Sequence, residues 1–135
     1  MQQEIKEYTE NALLPFWIQR TIDPVNGGFI THFDEFGNDT GKDEKSLIAQ
    51  TRSIFTYSQA YRHGFGGDVM LAMAKNGVQF LLKNMWDPTH GGFYWMVDRA
   101  GNPINRQKIG YGHSFVIYSL SEYTLASGDP IGLEY

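Results

Sequence analysis

Cysteine is absent from the 135 residues of this chain. Its absence excludes disulfides and thiolate metal sites and fits a reducing compartment. No run of about 20 apolar residues is present to span a membrane. The opening residues, Met1 to Glu7, carry charge and no apolar stretch, so no signal peptide is read there. With a net charge of −4 the chain lacks the basic excess that nucleic acid or an anionic membrane surface would attract. The four histidines are scattered and form no close group with Asp or Glu at ligand spacing, so no metal and no cofactor is expected. Gly64 to Gly67 runs into Asp68, the wrong sign for a phosphate loop. Together these absences point to a soluble, cytoplasmic protein.

What is present is enough for one core: 41% of residues are hydrophobic and 15% aromatic. The dominant pattern is a stretch that occurs twice. Asp23-Pro24-Val25-Asn26-Gly27-Gly28-Phe29 runs on to Asp34 and Gly37-Asn38, and Asp87-Pro88-Thr89-His90-Gly91-Gly92-Phe93 runs on to Asp98 and Gly101-Asn102, 64 positions later. A period of this size marks a repeat architecture. Asp-Pro starts a turn, Gly-Gly allows positive φ, and Gly-Asn closes a hairpin. Two hairpins are therefore expected, at about 23–39 and 87–103, with Phe93-Tyr94-Trp95 as a short strand.

Between the hairpins the apolar residues fall at helical spacing. Helices are expected over about 3–20, 45–63, 69–84 and 108–127. Pro15 should kink or split the first. Asp43 and Asp68 are the expected caps of the second and third. Pro103 should open a linker, Ile104 to Gln107. Lys45 and Lys108 align at a spacing of 63, which puts Phe55 under Tyr118 and Ser58 under Ser121. The expected fold class is all-α, with two helix–β-hairpin–helix repeats at about 3–64 and 67–128. Repeat modules bury their faces on neighbours, and about three are needed for stability. Two units leave apolar faces open, so the chain is expected to be a fragment or to associate with itself.

These residues resemble the N-acylglucosamine 2-epimerase superfamily, which includes cellobiose 2-epimerases and mannose isomerases. The resemblance runs from Leu13 to Asp129. It rests on Leu14-Pro15-Phe16-Trp17, Gln50-Thr51-Arg52 with Tyr57-Ser58-Gln59-Ala60-Tyr61, Asp87 to Trp95, Tyr111-Gly112-His113-Ser114-Phe115 and Ser121-Glu122-Tyr123. It implies an (α/α)6 barrel with a sugar pocket at one end and a proline inside the first helix. Six units of about 64 residues make about 384, so this chain would be the N-terminal third of such a barrel.

The resemblance also implies proton transfer at the carbon next to a sugar carbonyl. That chemistry needs a base, an acid and donors for the oxyanion. Arg52 looks like the family arginine that contacts the sugar and holds the developing negative oxygen, and a planar guanidinium suits that task. Tyr111 looks like a pocket tyrosine able to hydrogen-bond a sugar hydroxyl. His113 beside it could touch substrate, or serve as a satisfied core histidine. Trp95 could stack on a sugar ring, or simply pack. His32, His63 and His90 read as solvated or turn residues. The family's acid/base histidines are implied to lie beyond Tyr135.

Three functions remain open from the sequence. One is part of a sugar 2-epimerase or aldose–ketose isomerase acting on a mono- or disaccharide. Another is a non-catalytic module that binds sugar or protein. The third is a glycoside hydrolase, which needs two carboxylates flanking the bond. Asp34 and Asp98 are the tempting pair for the third, but their equivalence in the repeat marks them as hairpin residues.

Overall fold

Pro15 sits inside a continuous helical rod. The computed structural model describes residues 1–135. α1 (Gln2–Tyr8) runs into a widened π-type turn, Thr9–Leu13, and then into α2 (Leu14–Thr21), whose first turn holds Pro15. Proline lacks an N–H and its ring crowds the carbonyl one turn back. The wide turn, closed by Leu14 N–H on Thr9 O, absorbs that mismatch. The expected break is thus a local widening.

α3 (Leu47–Arg62) is started by Ser46, whose hydroxyl accepts Ala49 N–H at 3.3 Å. Asp43, the expected cap, instead accepts Arg99 N–H at 2.9 Å. α4 (Asp68–Phe80) is preceded by Gly67, so Asp68 is its first residue and not its cap; it ends in a second π-type turn, Leu81–Met85. α5 (Gly110–Ser127) begins two residues later than the expected 108 and stops at Gly128 in the left-handed conformation. A short 3-10 turn, Pro130–Leu133, follows, with Asp129 accepting Ile131 N–H.

The strands are fewer and elsewhere than expected. β1 (Lys45–Ser46), β2 (Met96–Val97) and β3 (Pro103–Asn105) form one antiparallel sheet in that order, pairing Lys45 with Val97 and Val97 with Pro103. The residues expected to be a linker are therefore partly an edge strand, a position where proline is tolerated. The first hairpin holds only isolated bridges, Ile22 to Phe29 and Phe33 to Asp39. Its backbone groups are used otherwise: Phe29 N–H donates to Gln50 Oε1 and Phe29 C=O accepts from Gln50 Nε2, at 2.8 Å each. That leaves no ladder to extend.

α3 packs between α4 and α5. Phe29, Leu47, Ile54, Met70, Leu81, Met85, Phe93 and Val97 fill the centre. The outer side of α5 leaves Tyr111, Ile117, Tyr118 and Leu125 exposed. No helix is long and apolar enough to cross a membrane.

Candidate functional site

The starts of α3 and α5 are brought together by the second hairpin. Trp95 accepts Leu47 N–H through its carbonyl at 2.9 Å, fixing the first turn of α3. Its ring lies against Gly112 in the first turn of α5. A Cβ at Gly112 would stand 2.9 Å from Leu47 Cδ2 and 3.0 Å from the Trp95 ring, so only glycine lets these three parts meet.

On this frame Arg52 and Tyr111 share one surface. Tyr111 is 62% exposed and meets Phe115 edge-on, with ring centroids 5.0 Å apart. The Arg52 guanidinium stands 5.9 Å from the same Phe115 ring. The row is therefore Arg52, Phe115, Tyr111. One side of Arg52 opens into a cleft of about 350 Å³ lined also by Phe55, Thr56, Phe115 and Tyr118. The other opens into a cleft of about 450 Å³ lined by Leu13, Trp17, Phe33, Ser53 and Tyr57 among others. Arg62 and Arg99 are committed to Glu122 and to Asp23 and Asp39; Arg52 is exposed and carries no such ion pair. A free guanidinium between two partly apolar clefts can take a hydroxyl, carbonyl or enediolate oxygen.

The other two candidates point elsewhere. Trp95 is half-buried at the base of the row, packed on Gly112. His113 turns toward the hairpin, and both its ring nitrogens meet backbone: Nε2 accepts Phe93 N–H at 2.9 Å and Nδ1 lies 3.0 Å from Ile109 O. His32 pairs with Glu44 at 3.1 Å, His90 lies 3.4 Å from Asp87, and His63 ends α3. Asp34 and Asp98 accept N–H donors of their own turns. The Asn38 and Asn102 amides hold these two carboxyls below the usual range. No three acidic or histidine side chains come together in a group able to hold a metal.

Residues that the sequence reading aligned in the repeat, but to which it gave no pairing, form the support. Lys45 is 1% exposed. Its ammonium donates to Asp23 Oδ2 at 2.9 Å, Gly27 O at 2.7 Å and Arg99 O at 3.1 Å. Arg99 joins Asp23 and Asp39 at 3.2 and 2.6 Å, tying the first hairpin to the second. Burial pushes the Asp23 carboxyl up, but the Lys45 ammonium and the Asn26 and Val25 donors outweigh it and hold it well below the usual range. Lys108 repeats the pair with Asp87 at 2.7 Å. The shared spacing of Lys45 and Lys108 was the signal that could have revealed both pairs.

The sequence profile of the family described as N-acylglucosamine 2-epimerase (GlcNAc 2-epimerase) matches residues 28–134. The chain belongs to that family. A cellobiose 2-epimerase from Bacteroides fragilis is 35% identical over 141 aligned positions, covering all of this chain and 34% of that enzyme. A D-mannose isomerase from Marinomonas mediterranea is 32% identical over 108 positions, covering 80% of this chain and 26% of that enzyme. The crystal structure of a sugar epimerase from a ruminal bacterium superposes with a TM-score of 0.90 at 36% identity, covering 98% of this chain and 33% of that one. This N-acylglucosamine 2-epimerase family chain thus spans about a third of the length of the relatives it matches, and corresponds to an N-terminal portion of them.

Proposed function

We propose that the chain is the N-terminal part of a sugar 2-epimerase or aldose–ketose isomerase built as an (α/α)6 barrel, with Arg52 and Tyr111 on the wall of its sugar pocket. In this reading a base removes the proton from the carbon beside the sugar carbonyl, and the electron pair moves onto the carbonyl oxygen to give an enediolate. Return of a proton to the same carbon from the other face gives the epimer; return to the neighbouring carbon gives the isomer. Arg52 donates to the oxygen that gains charge, and Tyr111 orients a hydroxyl. The acid and base come from residues beyond Tyr135. A mono- or disaccharide in the cytoplasm is the substrate, and the exposed apolar side of α5 is covered by the rest of the barrel or by a second copy.

The observation that carries this reading is the uncommitted Arg52 guanidinium, set between two clefts beside an aromatic row. The test is deuterium incorporation at the carbon beside the carbonyl of cellobiose or mannose, in heavy water, by the natural full-length gene product. Incorporation that disappears in Arg52→Ala supports the reading; incorporation unaffected by Arg52→Ala sinks it. The competing reading is a sugar-binding module without catalysis. Sugar binding by this chain with no deuterium incorporation by the full-length product would favour it.

A further inference from the structure

His113 holds the second hairpin by a bond that only the neutral ring can make. Ile109 O is an acceptor, so the ring nitrogen 3.0 Å from it, Nδ1, carries the proton. Nε2 is then a bare lone pair, and it accepts Phe93 N–H at 2.9 Å. In the first copy of the repeat the same task falls to Gln50. Its Oε1 accepts Phe29 N–H at 2.8 Å, and its Nε2 donates back to Phe29 O at 2.8 Å. Gln50 and His113 lie 63 positions apart, the spacing that also relates Lys45 to Lys108. Each approaches a positive-φ glycine closely. A Cβ at Gly28 would stand 2.8 Å from Gln50 Oε1, and one at Gly92 2.8 Å from His113 Nε2. Two chemically different side chains therefore close two equivalent hairpins. A carboxamide keeps its donor and its acceptor in water at any ordinary pH; a neutral imidazole has one bare nitrogen that can take a proton and become a donor.

We propose that His113 is a pH-sensitive latch on the hairpin at residues 87–103, closed by the neutral ring and released by its protonation, while Gln50 closes the first hairpin independently of pH. On protonation Nε2 becomes a donor facing a donor. Phe93 is only 2% exposed, so water does not readily replace the lost acceptor. The same hairpin carries Trp95, whose carbonyl fixes Leu47 N–H and whose ring packs on Gly112. Release therefore loosens the first turns of α3 and α5; Tyr111 stands in the latter, and Arg52 in the turn of α3 that follows.

The charged and titratable groups around the ring are few. Lys108 runs beside it from the segment before α5, with its ammonium 2.7 Å from Asp87 Oδ2. Asp87 and the exposed His90, 3.4 Å apart, belong to the hairpin itself. Tyr135 approaches from the C-terminal segment, its ring centroid 6.5 Å from that of Phe93. Lys108 and Asp87 neutralise one another. His90 is the other imidazole nearby, so a His90→Gln variant is the control.

The experiment is amide hydrogen exchange at Phe93 and Phe29 between about pH 8 and pH 5, corrected for intrinsic rates, in the unaltered chain and in His113→Gln and His90→Gln. The latch predicts that Phe93 protection falls about tenfold or more on acidification while Phe29 protection does not. It predicts that His113→Gln removes the difference and His90→Gln keeps it. Flat protection at Phe93, or an equal fall in His113→Gln, overturns the proposal. Should His113→Gln fail to fold, the ring ¹⁵N shifts of the unaltered chain decide. An Nδ1–H tautomer near pH 8 that becomes doubly protonated as Phe93 protection is lost supports the latch. An Nε2–H tautomer overturns it. None of these readouts involves sugar, so they stand apart from the enzymatic reading.

Discussion

Phe55 lies face to face with Tyr118, ring centroids 4.0 Å apart and 18° from parallel. The two are 63 positions apart, as are Arg52 and Phe115, which also meet. Counterpart residues of the repeated stretch therefore face each other across α3 and α5. An aromatic pair of this kind contributes about 0.5–1.5 kcal/mol beyond its buried area. A double-mutant cycle with Phe55→Leu and Tyr118→Leu, read by urea unfolding, should return a coupling energy in that range. Additive losses would mean that the stack is incidental.

The buried pair of Lys45 and Asp23 should be costly to break from either side. Their side chains are 2% and 1% exposed; Asp23 is the charge partner of Lys45, and Asp23 also meets Arg99. Removing Asp23 leaves the Lys45 ammonium uncompensated away from water, at a cost of about 3–5 kcal/mol; removing Lys45 leaves Asp23 with Arg99 alone and costs toward the lower end of that range. Lys45→Met and Asp23→Asn should each lower the urea midpoint by a corresponding amount. Lys108→Met, on the half-exposed counterpart pair, should lower it distinctly less, since the Lys108 side chain is 29% exposed. Equal losses at the two sites would show that burial is not what sets the cost.

The same carboxylates set an acid limit separate from the His113 latch. Burial raises Asp23, but Lys45 and the local N–H donors lower it further. The Lys108 ammonium is the main influence that holds Asp87 well below the usual range. A carboxyl depressed in the folded state gives stability that is complete above its unfolded value and is lost as pH falls toward its folded one. Unfolding free energy should therefore decline below about pH 4. Asp23→Asn should flatten part of that slope while leaving the behaviour above pH 5 unchanged. A slope identical in the variant would remove Asp23 from the account.

Local chemistry made the turns and helices readable in advance, but not the strand pairing, because Asp-Pro, Gly-Gly and apolar periodicity act over a few residues. Arg52 and Tyr111 were singled out through motif resemblance, and no local pattern said that Phe115 would stand between them. Lys45 was missed because a lysine before a helix normally reads as solvated. Its burial depends on Asp23, 22 positions earlier, and on Arg99, 54 positions later. Pro103 read as a linker because its place on a sheet edge depends on Val97 opposite it. The task of His113 was hidden because its counterpart, Gln50, is a different kind of residue. Asp43 was misjudged as a cap because Arg99 competes for it from the far hairpin.

Arg52 should separate function from stability. It is exposed and unpaired, so Arg52→Lys should change unfolding free energy by no more than about 0.5 kcal/mol. It should nevertheless lower kcat/KM of the full-length product by about a hundredfold, because a point charge replaces a planar fork of donors at the developing oxyanion. Tyr111→Phe should act more mildly and mainly through KM. A comparable loss of stability in Arg52→Lys would instead make Arg52 a structural residue.

Gly77 sets two known effects against one another. It lies in the interior of α4, where alanine is favoured over glycine by about 1 kcal/mol. A Cβ there would stand 2.7 Å from Ile54 Cγ1 and closer still to the Phe29 ring. Phe29 cannot easily yield: it is fully buried, and Gln50 clamps its backbone on both sides. Overpacking of this kind costs about 1–3 kcal/mol, so the clash should win and Gly77→Ala should destabilise the chain despite its better propensity. Gly110 is the matching control. It opens α5 with nothing within 4 Å of the position a Cβ would take, so Gly110→Ala should be neutral or stabilise by up to about 1 kcal/mol. Urea unfolding of the two variants should thus move in opposite directions or leave Gly110→Ala unmoved. A stabilising Gly77→Ala would mean that Phe29 can shift, and that the Gln50 clamp is looser than its two 2.8 Å hydrogen bonds imply.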